Sequence, residues 1–407
     1  MDNRYTTAVV ITSTYPFGGG TEPVFIDPDV RALAKRFSEV IIVPSRNKGD
    51  KIYTQPLPPN VRIDYFWRDN PDNCRDPFRL IRFAPAAMLR SRFWKEPYKI
   101  RTITFSVKAH AFARALRKWI RSNGIDTSRT LFISNWFNYV AAAPMLLRRS
   151  GIRMVAIDHG RTSSRYPYRA LAMRRKASGK LTALYAVSHS RRREICEEIG
   201  ITPDRVRIRY LGCLDNHDPA PADACGATVF ITVCRMEHPK RIAQMRSFMV
   251  ALAVARTTPV RWIVAGEGAL KNELDPAGEK PTNLIIEHLG GLTNDEVHHI
   301  YNTRHIDWAI LLSDSEGGTP IALCEAIMHG VPIVANDAGG ISEIVDDECG
   351  LLLPYAPTTE EFVRGIAPML DSRIRTENLR RGARSRWEAE FDASRRRPQW
   401  VNELIEL

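Results

Sequence analysis

The sequence has no run approaching the roughly 18 consecutive apolar residues of a membrane-spanning helix, so no segment reads as transmembrane. The apolar stretch in MDNRYTTAVVITSTYPFGG is too short for a secretory h-region and lacks a small-residue cleavage site. It reads instead as a first strand. Cysteine is sparse: seven residues, an odd number without regular spacing, which excludes a disulfide framework and a zinc site. A reducing, cytoplasmic setting fits that usage. The glycine run Gly18-Gly19-Gly20 is not a GxGxxG fingerprint, and Asp346-Asp347 sits in a surface-like turn rather than in a DxD context. No metal and no cofactor is expected. Internal repeats and low-complexity tracts are missing as well.

Acidic residues are scarce in one region. From Arg75 to Arg121 the chain carries a long series of arginines and lysines, opposed only by Asp76 and Glu96. Phe78, Leu80, Ile81, Phe83, Met88, Leu89, Phe93 and Trp94 are interleaved with them. The whole chain has a formal charge of +12 and a pI of about 9.5, which calls for an acidic partner: nucleic acid, anionic lipid or a phosphorylated substrate. The aromatic-laced basic segment suits an anionic membrane surface, and an ordinary solvated basic face is the alternative.

The 407 residues are too many for one ordinary core, and two domains are expected. A hydrophobic content of 44% with 26% charged residues describes a globular protein. Residues 7–14 read as a strand, followed by the Gly18–Gly20 turn, a helix to about Phe37 and a second strand at 40–44. Further strands are expected at 131–134, 153–160 and 184–188, the last followed by a helix stopped at Gly200. The polar, proline-rich stretch 215–223 reads as a linker. A second series begins at 228, with strands expected at 228–234, 261–268, 283–290, 307–313 and 332–337. One charged amphipathic helix is expected over about 373–406. This β–loop–α–β order predicts an α/β protein of two doubly wound parallel domains, with the default ligand site in the cleft between them. The domains are placed at 1–213 and 214–384, with a helix of about 385–407 packing back on the first.

The most informative segment is SDSEGGTPIALCEAIMHGVPIVANDAGGISEIV at 313–345. Glu316 and Glu325 bracket a turn of Gly317, Gly318, Thr319 and Pro320 that leads into Ile321. Amides of that turn suit a phosphate or a sugar hydroxyl. Glu325 enters the helix EAIMHG, where a carboxylate either hydrogen-bonds ribose hydroxyls or acts as a cap on the helix dipole. Two carboxylates also raise acid–base glycoside hydrolysis, in which a diphosphate clamp has no role. Such a clamp is offered by Arg235 and Lys240, just beyond the strand ending at Cys234, unless they form a solvated basic turn. His159 ends the strand VAIDHG, where its imidazole is placed either for a sugar hydroxyl or phosphate, or for a backbone partner; Asp158 is adjacent and could orient it.

In combination these pieces resemble a retaining glycosyltransferase of family 4, with the GT-B fold. The resemblance is carried by TSTYPFGGGTEPVF, the strand-end pair His159-Gly160, AVSHSRRREICEEIG, VRIRYLGCL, CRMEHPK, VAGEGALKNEL, HLGGLTNDEV and the Glu316–Gly340 segment. It implies a nucleotide-sugar donor held by the second domain. Arg235 and Lys240 match the diphosphate pair. Glu325 matches the second glutamate of an E-x7-E motif, on the ribose, and Glu316 stands for the first, near the transferred sugar. Gly317, Gly318, Thr319, Pro320 and Ile321 complete the donor side. His159 matches a histidine near the reaction centre, and Gly19 and Gly20 match a glycine loop facing donor phosphate and acceptor. Here the two glutamates are nine apart, not eight. The extra residue is either absorbed as a loop bulge or it turns Glu316 away, leaving loop amides to contact the sugar.

The implied reaction moves a sugar to an acceptor hydroxyl with retention, by a front-face route in which the leaving phosphate takes the acceptor proton. A glycan or lipid-linked acceptor in cell-envelope polysaccharide assembly, with peripheral attachment to the inner face of the membrane, is the family-level expectation. A nucleotide-sugar epimerase or a phosphorylase of the same build is the nearest alternative. A basic nucleic-acid-binding protein explains the charge but not the Arg235, Lys240, Glu316 and Glu325 set, and no nucleic-acid partner is expected.

Overall fold

The computed structural model describes residues 4–17, 22–46, 56–73, 81–91, 93–95, 98–160, 170–218, 226–274 and 280–407. Gly19 and Gly20, and part of the basic segment and of the linker, lie outside the described residues. The chain forms two compact units. The first contains Met1–His159, Pro167–Arg209 and Arg397–Leu407; Tyr210–Arg396 belongs to the second.

The first unit is built on β1 (Thr7–Thr12), α1 (Glu22–Ala34), β2 (Glu39–Pro44), β3 (Val61–Ile63), α2 (Ala84–Ser91), α3 (Lys99–Ser122), β4 (Thr130–Ser134), α4 (Ala143–Leu146), β5 (Arg153–Asp158), α5 (Leu171–Ser178), β6 (Ala183–Ala186), α6 (His189–Ile199) and β7 (Val206–Ile208). Its seven strands, all parallel, lie in the order β3-β2-β1-β4-β5-β6-β7. The order reverses between β1 and β4, the switch point at which such sheets open a crevice. Strands such as β1 and β2 are buried almost throughout, as parallel strands covered on both faces must be, and their continuous Val/Ile runs follow from that.

The second unit repeats the design with β8 (Thr228–Val233), α7 (Ile242–Ala255), β9 (Val260–Ala265), β10 (Leu284–Gly290), α8 (Asn294–Thr303), β11 (Trp308–Leu311), α9 (Ile321–Met328), β12 (Ile333–Asn336), β13 (Gly350–Leu353), α10 (Thr359–Leu370) and α11 (Arg373–Arg386). Six parallel strands run β10-β9-β8-β11-β12-β13, switching between β8 and β11. One face of this sheet packs on Ile300, Leu323, Ile327, Trp387 and Phe391, the other on Phe248, Leu252, Phe362 and Ile366. Helix starts are set locally. Thr293 with Glu296, and Thr358 with Glu361, form capping boxes, and Ser188 accepts from the amide of Arg191 at the start of α6.

Three strands have no counterpart in the sequence reading: β3, β7 and β13. Each is three or four residues long and lies at a sheet edge. A strand that short shows no usable periodicity. The single helix expected over 373–406 is also interrupted. After α11 the backbone makes a π-type turn at Trp387–Phe391 and then α12 (Ala393–Glu406). At the break the chain bridges to the segment at Cys213. The Cys213 amide donates to the Phe391 carbonyl at 3.1 Å, and the Ala393 amide donates to the Cys213 carbonyl at 3.0 Å. Gly212, at φ +63°, permits the approach, because a Cβ there would stand 2.2 Å from the Phe391 oxygen. Beyond the break the chain joins the first unit, where Arg397 and Arg209 both bond Asp29 and the Arg209 guanidinium lies 3.8 Å from the Trp400 ring centroid.

Candidate active site

In the second unit the candidate residues gather at the carboxyl ends of β8, β11 and β12. The segments after β8 and β11 are joined by main-chain bonds. Arg241 donates its amide to the Leu312 carbonyl at 3.1 Å, Asp314 donates to the Pro239 carbonyl at 3.0 Å, and Lys240 forms a bridge with Ser313. The Asn336 side chain, at the end of β12, accepts from the Ser313 amide and donates to the Ser313 carbonyl, both at 2.9 Å. Arg241 donates to Asp314 at 2.6 Å, and His238 contacts the other oxygen of that carboxylate at 3.0 Å. None of Asn336, Asp314 and Arg241 was assigned a role from the sequence. They tie the two segments together through backbone and side-chain bonds, and only pairing of β8 with β11 brings them together.

This framework places Lys240 against Glu316. The Lys240 ammonium and the Glu316 carboxylate form an ion pair, with both side chains largely buried. The turn after Glu316 lies on the Gly339-Gly340 turn. At Gly339, φ is +65° and a Cβ would stand 1.9 Å from the Glu316 carbonyl oxygen; at Gly340 it would stand 2.5 Å from the Gly318 carbonyl carbon. Among the described residues, the Gly318 and Thr319 amides donate to no backbone acceptor. The first amides of α9, Ile321 and Ala322, have no partner within the helix. Arg235 has a different setting from Lys240. Its side chain is 64% exposed and faces Glu237 at 3.5 Å.

Glu325 does not start a helix. Pro320 is the N-cap of α9, so Glu325 lies past the first turn, beyond the reach of a capping role. Its carboxylate is buried and accepts from the Asn294 side chain at 2.6 Å. Burial, only partly offset by the Asn294 bond, pushes its pKa up to about 7. One turn further on, His329 Nε2 is 3.0 Å from His298 Nδ1, and its ring stacks on Tyr301 at 4.7 Å. Burial pushes the pKa of His329 down to about 3 and also lowers that of His298. The pair is therefore neutral, one nitrogen donating and the other accepting. Asn294 and this histidine pair were not foreseen from the sequence. The Thr293 capping signal was legible, but not that the next residue would reach α9.

In the first unit, His159 follows β5, between the rings of Phe25 (5.0 Å between centroids) and Trp136 (4.8 Å). Its Nε2 is buried and has no hydrogen-bond partner among the described residues. Burial, then the nearby charge of Arg209, pushes its pKa down to about 4. The adjacent Asp158 carboxylate accepts from the buried Arg191 at 2.6 Å and acts on His159 through space, by less than burial or Arg209 does. Glu22 is buried at the start of α1 and accepts from the amides of Ser13 (3.0 Å), Thr14 (2.5 Å) and Tyr15 (2.7 Å), and from Trp136 Nε1. It fixes the segment after β1, at the sheet's switch point.

Two family models match the chain. One, described as Glycosyl transferases group 1, covers residues 218–386; the other, Glycosyltransferase Family 4, covers residues 95–213. Together the two models cover most of the chain, which is similar to glycosyltransferases of family 4. The chain is 25% identical over 216 residues to the MMP alpha-(1->4)-mannosyltransferase of Mycolicibacterium hassiacum, covering 50% of the chain and 49% of that protein. The matches thus span about half the length of the curated relatives. Among solved structures, sucrose-phosphate synthase from Thermosynechococcus elongatus is similar with a TM-score of 0.69 and 14% identity, over 98% of each chain. Anabaena HepE in complex with UDP is similar with a TM-score of 0.66 and 14% identity, over 98% of this chain and 100% of that one. At such identity the likeness establishes the GT-B fold.

Proposed function

We propose that this protein is a retaining glycosyltransferase that moves a sugar from a nucleoside-diphosphate donor, bound by the second unit, to an acceptor hydroxyl of a glycan or lipid-linked glycan. The observation that carries this reading is the arrangement of Lys240, Glu316, the amides of Gly318, Thr319, Ile321 and Ala322, and buried Glu325 along one sheet edge at the switch between β8 and β11. The cation and the open amides match a diphosphate, and the buried carboxylate matches a pair of vicinal hydroxyls. Glu316 already holds Lys240. A bound donor places its phosphate on the cation and its transferred sugar by the carboxylate, so the ion pair is the preformed core of the donor site.

Charge develops on the diphosphate as the glycosidic bond breaks. Lys240 and the amides at the start of α9 stabilise it without reorganising, the preorganised electrostatic contribution that dominates many enzymes. Arg235, free to move in solvent, is the second cation and closes on the phosphates when donor binds. Because side chains supply the positive charge, a metal ion has no assigned role and EDTA is expected to leave turnover unchanged. His159, neutral at pH 7, is suited to a hydrogen bond with a sugar hydroxyl rather than to a charge.

The test is sugar transfer by Lys240→Ala and Glu325→Ala, after a nucleotide-sugar thermal-shift screen that starts from UDP, the nucleotide bound by Anabaena HepE. Loss of one phosphate or ribose contact in a desolvated site is expected to lower kcat/KM by about 100-fold. Wild-type turnover in both variants would sink the assignment.

A further inference from the structure

On the first unit, α2, α3, α5 and the end of α4 enclose an open pocket of about 540 Å³. Four cations line it: Arg117, Arg148, Arg149 and Lys176. All four are exposed. Among the described residues their side chains form no ion pair or hydrogen bond with any other group. The surrounding sequence supplies almost nothing to neutralise them. From residue 77 to residue 180 the only acidic residues are Glu96, Asp126 and Asp158. Asp126 is bonded to Ser128 and Asp158 to Arg191, while Glu96 lies outside the described residues. Four like charges around one concavity repel one another, and a phosphate-bearing anion is the ligand that relieves this.

The pocket is not the sugar-transfer edge. Arg117 lies in the last two turns of α3, which leads into β4. Arg148 and Arg149 follow α4 and lead into β5, and Lys176 lies in the last turn of α5, which leads into β6. These are the amino ends of the strands. Trp136 and His159 follow the carboxyl ends of β4 and β5, at the opposite edge of the same sheet.

The remaining lining is apolar: Leu89, Met145 and Leu146. Leu89 is 74% exposed, and its neighbours Ile81, Met88, Trp94 and Ile100 are exposed too. The segments that carry them pack along α3. Exposed aliphatic and aromatic side chains beside unpaired cations are the composition of a surface that lies in a membrane interface. A free phosphate would use the arginines and leave these side chains without a purpose. A phospholipid uses both.

We propose that this pocket docks the phosphate head group of an anionic phospholipid, with Leu89 and its exposed neighbours entering the acyl boundary. The site adds a place of work to the proposed transfer reaction and does not depend on it. Full-length protein is co-sedimented with phosphatidylcholine vesicles with and without phosphatidylglycerol, in low salt and without donor or acceptor. Binding is expected only with phosphatidylglycerol. Each basic residue at such a surface adds appreciably to partition, so Arg148→Glu with Arg149→Glu is expected to weaken it at least about tenfold. Leu89→Asp is expected to weaken it as well. Lys35→Glu with Arg193→Glu, exposed on the same unit outside the pocket, changes the net charge equally and is expected to bind nearly as wild type does. Thermal melts establish that each variant is folded.

Equal loss in the Lys35/Arg193 pair would overturn the proposal in favour of diffuse charge, and equal sedimentation with pure phosphatidylcholine would overturn it too. Stabilisation by inorganic phosphate without vesicle binding would make the pocket a soluble-anion site. Because no sugar is transferred in this assay, its failure leaves the transferase reading standing.

Discussion

Glu325 shows how one buried side chain carries a structural cost, which the proposed ribose contact would account for. Burial raises its pKa from 4.5 to about 7, so the folded protein holds its proton where the unfolded chain has lost it. The sign follows from that difference. The associated stability is present below pH 4.5 and is lost as pH rises to about 7, with a magnitude on the order of 3 kcal/mol. Glu325→Gln is therefore expected to raise the melting temperature at pH 8 while weakening nucleotide binding. A variant that melts earlier and still binds would remove the ribose assignment. Ribose hydroxyls are accepted by the carboxylate form, so nucleotide affinity is expected to fall from pH 8 to pH 6, approaching tenfold per pH unit. Calorimetry in two buffers of different ionisation enthalpy reads the released proton directly. Asn294 is the other half of this contact, and Asn294→Ala leaves a buried acceptor unpaired, at a cost of about 1–3 kcal/mol.

At the scale of elements, the Gly339-Gly340 turn and the Glu316–Pro320 turn are one object. Gly339→Ala costs about 1–2 kcal/mol for its left-handed conformation alone, and the added methyl displaces the Glu316 carbonyl. It is expected to weaken donor binding through the displaced Glu316 backbone, and an unchanged affinity would show the two turns to be uncoupled. The contact between α8 and α9 through His298 and His329 has its own pH signature. Both pKa values are depressed by burial, so the folded state binds fewer protons than the unfolded chain as pH falls below about 6.5. That stability is lost on acidification. His329→Gln is expected to flatten the decline of melting temperature between pH 7 and pH 5.

At the scale of the molecule, the chain repeats one design twice. Each unit is a parallel sheet with a reversal of strand order, and in each the assigned side chains follow strands at that edge. The strands that form each sheet's interior were legible, because parallel strands covered on both faces are nearly continuous apolar runs. The short edge strands β3, β7 and β13 were not, since three or four residues at an edge need not be apolar throughout. The positive charge was legible in amount and rough location. Its concentration into a pocket joining Arg117, Arg148, Arg149 and Lys176 was not, because these residues come from three separate crossovers.

The sequence by itself determined the fold class and singled out the segment proposed to hold the donor, since both are written in local patterns: apolar runs, capping signals and the order of the motifs. Tertiary structure decided what those residues are for one another. It paired Lys240 with Glu316 across 76 positions, set Glu325 inside α9 against Asn294 rather than at a helix start, and broke the last helix where the chain bridges to Cys213. Each of these is a contact between distant segments, and its energy depends on burial and on the geometry of the partner. Neither quantity is present in a one-dimensional pattern.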